Sequence, residues 1–276
     1  MISTASFITC TVTLFISLIL PVLMLIVFAA KNRKQGILSA WLLGAAGFVV
    51  TQLLIRVPIL NALAMQDWFI RFSQSHLFPY AFSLAITAGL FELAGRFAVA
   101  KVMQKNLTWN RALAAGLGHG GIEAMALVGM TYVNNLIYMV MIQTGSFDAV
   151  IAQTAAMGVD VSQLELIKLQ LLTVSPTLFL LGGFERLLAM TAHLAMSVIV
   201  CWGIHSRRIV KSLLLCLGIH TLIDLTAGIQ LLTGTLLSQT AVYIIIYAIL
   251  IAVAAVSLLI LKYIHTEWQK EVSYEQ

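Results

Sequence analysis

Residues 240–264 read TAVYIIIYAILIAVAAVSLLILKYI, an uninterrupted apolar run whose only charge, Lys262, comes near its end. About 20 such residues in a helix cross the hydrocarbon core of a bilayer, so this stretch is read as a transmembrane helix. The pattern recurs upstream over roughly 6–30, 36–57, 77–100, 111–141, 177–202 and 209–232, which makes about seven spans. The whole chain of 276 residues agrees: 61% are hydrophobic and 10% charged, where a soluble domain is about a quarter charged. Its mean hydropathy is +0.98. Segments of alternating polarity are absent, so helices and not barrel strands do the spanning. The expected fold is all-α, a polytopic transmembrane helix bundle forming one integral-membrane domain over residues 1–276. Residues 61–72 and 143–176 are the longer connections. In the second, Leu164, Ile167, Lys168 and Leu171 recur at helical spacing, which predicts short interfacial helices. An eighth, partial crossing within 161–176 is an open alternative.

Charge placement orients the bundle. Lys31, Arg33 and Lys34 follow the first span, and Lys101, Lys105 and Arg111 lie between the third and fourth. Arg207, Arg208 and Lys211 separate the fifth from the sixth, and Lys262 and Lys270 close the seventh. Eleven of the 16 basic residues thus fall on one side. The other side has Arg56, Arg71 and Lys168, and cytoplasmic loops are the Lys/Arg-rich ones. The N-terminus is expected outside and the C-terminal tail in the cytoplasm, in a multi-pass protein of the cell membrane. The net charge of +5 then records orientation, and no nucleic-acid partner is implied. Cys10, Cys201 and Cys216 sit alone without a CxxC, which excludes a disulfide framework or zinc knuckle. The first segment lacks a basic start and is too long for a signal sequence, so it is read as a retained helix. Trp41, Trp68, Trp109, Trp202 and Trp268 lie mostly near span ends, as interfacial anchors do.

Charged side chains inside a bilayer cost a few kcal/mol or more each, so they are functional candidates by default. Glu92 and Arg96 fall in the third span, and His119 and Glu123 in the fourth. The fifth has Glu185, Arg186 and His193, and the sixth His220 and Asp224. Glu92/Arg96, His119/Glu123 and His220/Asp224 are each spaced i,i+4 and so share a helix face. Counted from the expected cytoplasmic ends, Glu92, His119, Glu123, His193 and His220 lie roughly 12–18 Å deep at 1.5 Å per residue. Glu185 lies higher. Four helices presenting ionisable groups at one level point to a shared polar cavity. Simpler roles exist for some of them. Arg96, four residues from its span end, can snorkel, and Glu185 with Arg186 can act as an ion pair that holds helices together. Glycines 116, 118, 120 and 121 would let another helix approach the fourth span closely.

Carboxylates and histidines around a wet cavity can deprotonate a water for attack on a carbonyl and protonate the leaving amine. No GxSxG or HExxH occurs, and no serine or cysteine stands in a nucleophile's context. His119, His193 and His220 with a carboxylate also make a set that zinc could use. A proton-coupled transporter, with these residues as its relay, and a catalytically silent membrane interaction protein are the competing readings.

Four segments, FELAGR (91–96), GLGHGGIEA (116–124), FERLLAMTAH (184–193) and HTLID (220–224), resemble the motifs of the YhfC-type membrane peptidases. Those are relatives of the PrsW-like and CPBP (CAAX-prenyl protease-like) glutamic intramembrane proteases. The likeness spans about residues 85–230. In the wider group the first motif carries paired glutamates; here Glu92 takes the first place and Leu93 the second. The resemblance implies an intramembrane endopeptidase that hydrolyses a peptide bond of a membrane-embedded or membrane-anchored substrate through a Glu/His-activated water. It implies a catalytic role for Glu92, His119, Glu123, His193, His220 and Asp224, with Arg96, Glu185 and Arg186 in support. Residues 77–232 would form the catalytic core helices. A glutamic-type enzyme requires no cofactor, and a divalent metal such as zinc stays an open alternative.

Overall fold

The structure, a computed structural model, describes residues 1–233 and 237–274, with the side chains of 230–233 and 272–274 left aside. The core range 77–232 therefore ends on side chains outside the described residues. The described chain is a succession of helices without strands: α1 (Thr4–Lys31), α2 (Ile37–Ala64), α3 (Asp67–Ser75), α4 (Leu77–Asn106), α5 (Trp109–Thr144), α6 (Ser146–Ala156), α7 (Ser162–Thr173), α8 (Pro176–His205), α9 (Ile209–Thr233) and α10 (Gln239–Tyr274). Seven of them, α1, α2, α4, α5, α8, α9 and α10, are long and apolar enough to cross a membrane. Each covers a run read from the sequence. The connections 61–72 and 143–176 hold the short helices expected there. At 12 residues, α7 is about 18 Å long, too short for a full crossing.

Local chemistry sets the helix ends. Ser3 caps α1 by accepting the Ser6 N–H at 3.0 Å, a standard N-cap. Gly145 ends α5 with φ +79°, the left-handed conformation that favours glycine at a helix C-terminus. Pro176 opens α8, where its missing N–H costs nothing. Ahead of α7, Asp160 accepts both the backbone N–H and the hydroxyl of Ser162, each at 2.9 Å. These bonds hold its carboxyl below the usual range.

The chain divides into two compact units. One comprises Met1–Val22 and Ala124–Leu187, the other Leu23–Glu123 and Leu188–Gln276. In the first, Ile2, Cys10, Met139, Leu171 and Phe179 form the core. The Phe179 carbonyl there accepts hydrogen bonds from the Thr13 hydroxyl at 2.6 Å and the Tyr132 hydroxyl at 2.9 Å.

The second unit is built on close backbone approaches. A Cβ at Gly118 would lie 2.0 Å from the Trp41 carbonyl oxygen, and one at Gly44 the same distance from that of Ala115. Helices α2 and α5 can therefore pack only because both positions lack side chains. Gly116 and Gly120 admit Leu194 and His193 of α8 in the same way. Between Ala189 and Ile204 most α8 side chains are buried, including Met196, Val198 and Val200, as for a helix apolar all round. Trp41, Trp202 and Trp268 are also buried, which corrects their expected role as interfacial anchors. The Trp202 and Trp268 rings lie 5.3 Å apart, centroid to centroid, because span ends here pack on each other. Large apolar side chains such as Leu54, Val102 and Leu259 are exposed, a surface suited to lipid and a liability in water.

Candidate active site

Glu92 stands at the hub of the second unit, 3% exposed. It lies one turn beyond Ala88 and Gly89 on α4. A Cβ at Gly89 would sit 3.0 Å from Leu217 of α9, so small residues draw α4 and α9 together around the carboxylate. Its Oε2 accepts from Arg96 Nη2 at 3.1 Å on the same helix. His119 Nε2 of α5 lies 3.0 Å from the same oxygen, and His220 Nε2 of α9 lies 2.7 Å from it.

Arg96 does not snorkel. It is 3% exposed, and its Nη2 also donates to His193 Nδ1 of α8 at 2.7 Å. A guanidinium only donates, so Nδ1 is the accepting nitrogen and Nε2 carries the proton. That Nε2 lies 3.1 Å from Glu123 Oε2. His220 Nδ1 lies 3.3 Å from Asp224 Oδ2, so both nitrogens of this ring face carboxylates. The His119 and His193 rings stack at 5.7 Å, and those of His193 and His220 meet edge to face at 5.5 Å. Seven of the nine residues singled out from the sequence thus meet in one network. The other two, Glu185 and Arg186, belong to the first unit, where Arg186 Nη2 donates to Glu185 Oε1 at 2.5 Å.

Two members escaped the sequence reading. Gln52 of α2, 6% exposed, donates from Nε2 to Glu92 Oε1 at 2.7 Å. Arg56, expected at the outer end of the second span, lies within α2 and donates to the Leu84 carbonyl at 2.7 Å. Its Nη1 reaches Gln52 Oε1 at 3.4 Å. The signal was present: Gln52 and Arg56 are spaced i,i+4 inside a span, like the three pairs that were recognised.

The donor chemistry suits a divalent cation. Glu92, His119, Glu123 and His193 each offer a ligand atom within 4.8 Å of all the others. Imidazoles and carboxylates together are a zinc-type set.

Comparison with known proteins gives the same direction. Residues 16–251 match the family described as YhfC intramembrane metalloprotease. The "Uncharacterized membrane protein YhfC" of Bacillus subtilis (strain 168) is 28% identical over 195 residues, which is 70% of this chain and 73% of that protein. No solved structure matches the chain.

Proposed function

This chain belongs to the YhfC intramembrane metalloprotease family, and from that premise we propose that the Glu92 network hydrolyses a peptide bond of a membrane-embedded or membrane-anchored protein. The observation that supports it most is the position of Glu92. One carboxylate, nearly excluded from solvent, is met by donors from α2, α4, α5 and α9. A purely structural bundle gains little from so costly a centre.

His119, His193 and Glu123 would hold the metal, in the two-histidine, one-carboxylate manner of hydrolytic zinc sites. A bound divalent ion supplies Lewis acidity and makes its water a stronger acid. Glu92 takes the proton from the attacking water, and the hydroxide oxygen bonds to the carbonyl carbon. As the C–N bond breaks, His220 delivers a proton to the departing amine, and Asp224 holds the ring in register for that transfer. Arg96 keeps Glu92 ionised, and His193 would have to release its Nδ1 bond to Arg96 to offer a metal a nitrogen lone pair. Gln52 restrains the second oxygen of Glu92, so that Oε2 faces the histidines. No covalent intermediate is needed.

The decisive experiment is turnover of a membrane-spanning peptide by purified protein in liposomes, alongside Glu92→Gln and a chelated sample. Cleavage by wild type, lost in both and restored to the chelated sample by zinc, is the expected result. Full activity in Glu92→Gln would remove Glu92 as the base. Ion flux without cleavage would overturn the hydrolytic reading altogether. The Lys/Arg bias supports an outside N-terminus and a cytoplasmic tail, so a reporter fused after Gln276 should read cytoplasmic.

A further inference from the structure

Arg96 stands one turn after Glu92 on α4, and Ser197 one turn after His193 on α8. Between them and His119 of α5 lies a cavity of about 10 Å³ in the second unit, about the space that one water molecule needs. Arg96, His119 and Ser197 are its polar lining; the rest is apolar side chains, Cys201 among them, and glycine. The three polar residues are 3%, 1% and 4% exposed. Each carries a buried polar atom without a hydrogen-bond partner: Nε and Nη1 of Arg96, Nδ1 of His119 and Oγ of Ser197. Buried polar atoms are nearly always paired, by ordered water where the protein offers nothing. Here such atoms from three helices surround one space of a water's size.

We propose that this cavity holds one water molecule, and that Ser197 acts with it as the positioning residue that lets His119 present Nε2 to a metal. The inference rests on the metal-holding role of His119 proposed above and adds the device that makes it possible. His119 Nε2 lies 3.0 Å from Glu92 Oε2. A carboxylate only accepts, so in that bond Nε2 carries the ring's proton and Nδ1 a lone pair. A metal takes the lone pair at Nε2, and the neutral ring then carries its proton on Nδ1. Whatever faces Nδ1 must therefore donate in one state and accept in the other. A guanidinium can only donate and a carbonyl can only accept, whereas water and a hydroxyl do both. Arg96 spends Nη2 on Glu92 and His193, which leaves Nε and Nη1 to fix the water oxygen. Ser197 gives or takes a hydrogen as the water reorients. Neither tautomer of His119 then strands a buried polar atom.

The test uses the full chain in lipid nanodiscs, labelled with nitrogen-15 histidine, and zinc alone as the probe. Nitrogen NMR reports which ring nitrogen of His119 bears the proton, and His119→Gln identifies its signal. In wild type the proton should sit on Nε2 without metal and on Nδ1 with zinc, and the Nδ1–H should receive magnetisation from bound water. Zinc affinity by chelator competition is the second readout. Ser197→Ala should weaken it about tenfold or more, with an unfolding temperature near that of wild type because one oxygen is removed. Ser197→Thr and Ser197→Val share a shape and differ in the hydroxyl, so the first should bind zinc about fivefold more tightly or better, whatever the added methyl does to packing. Cys201→Ala enlarges the same cavity without touching its polar lining and should keep zinc affinity within about twofold. Wild-type affinity in Ser197→Ala, or equal affinity in the Thr and Val variants, would overturn the role of Ser197. A zinc-loaded His119 still protonated at Nε2, or an Nδ1–H that receives nothing from water, would overturn the water site. None of these results touches the hydrolytic reading if zinc-dependent cleavage of a spanning peptide persists. A wild type that binds no zinc would overturn the metal-holding reading and this inference with it.

Discussion

Glu92 with Arg96 on α4 and Glu185 with Arg186 on α8 are the same two residue types in helices of membrane length, in very different settings. The first pair's side chains are 4% and 1% exposed, and the second pair's 40% and 13%. Glu92 takes four side-chain donors, from its own helix and three others, and its arginine goes on to bridge to a fifth through His193. Glu185 takes its hydrogen bond from the next residue in the chain. A charge within a span is a candidate because it is costly, yet both pairs meet that test. What separates them is convergence. Only a carboxylate supported from several helices can stay ionised while almost dry, and only such a group is pre-organised for chemistry.

The contrast can be broken or sharpened by experiment. Glu92→Gln keeps the shape and removes the basicity, and it should lower kcat by about 10³-fold or more, measured on a membrane-spanning peptide. If activity persists, Glu123 becomes the next candidate for the base. His193→Ala and His220→Ala should come close behind, at about 10²- to 10³-fold. Arg96→Met should destabilise the bundle by about 3–5 kcal/mol, because it leaves a buried carboxylate unpaired; reversible unfolding in mild detergent reads this. Gln52→Leu should lower turnover by about 10- to 100-fold, as losses of groups that orient a reacting side chain do. A neutral outcome would make Gln52 mere packing. Asp224→Asn, still able to accept the imidazole N–H, should cost less than about tenfold. Smallest of all, Glu185→Gln should leave turnover within about twofold and change stability by no more than about 1 kcal/mol, as expected for a partly exposed pair. A large loss of activity in that last variant would erase the distinction between the two pairs.

Fold class, the seven spans and most of the polar network were legible in the sequence because hydrophobic length is a property of consecutive residues. The cost of a charge in lipid likewise marks Glu92, His119, Glu123, His193, His220 and Asp224 without reference to any partner. Helical spacing could show which residues share a face. It could not show which way that face turns, because the rotation of each helix is set by packing, here by Gly44 and Gly118 letting α2 and α5 touch. That rotation brings Gln52, a neutral amide with little cost to betray it, onto Glu92, and keeps Arg96 inside instead of at the headgroups. It also buries tryptophans whose positions near span ends suggested anchors. The sequence by itself determined that this protein is built of membrane-length helices with costly polar groups inside them. Tertiary structure alone decided that Glu92 is their centre and that Glu185 stands in another unit, because distances between helices depend on contacts made across the fold.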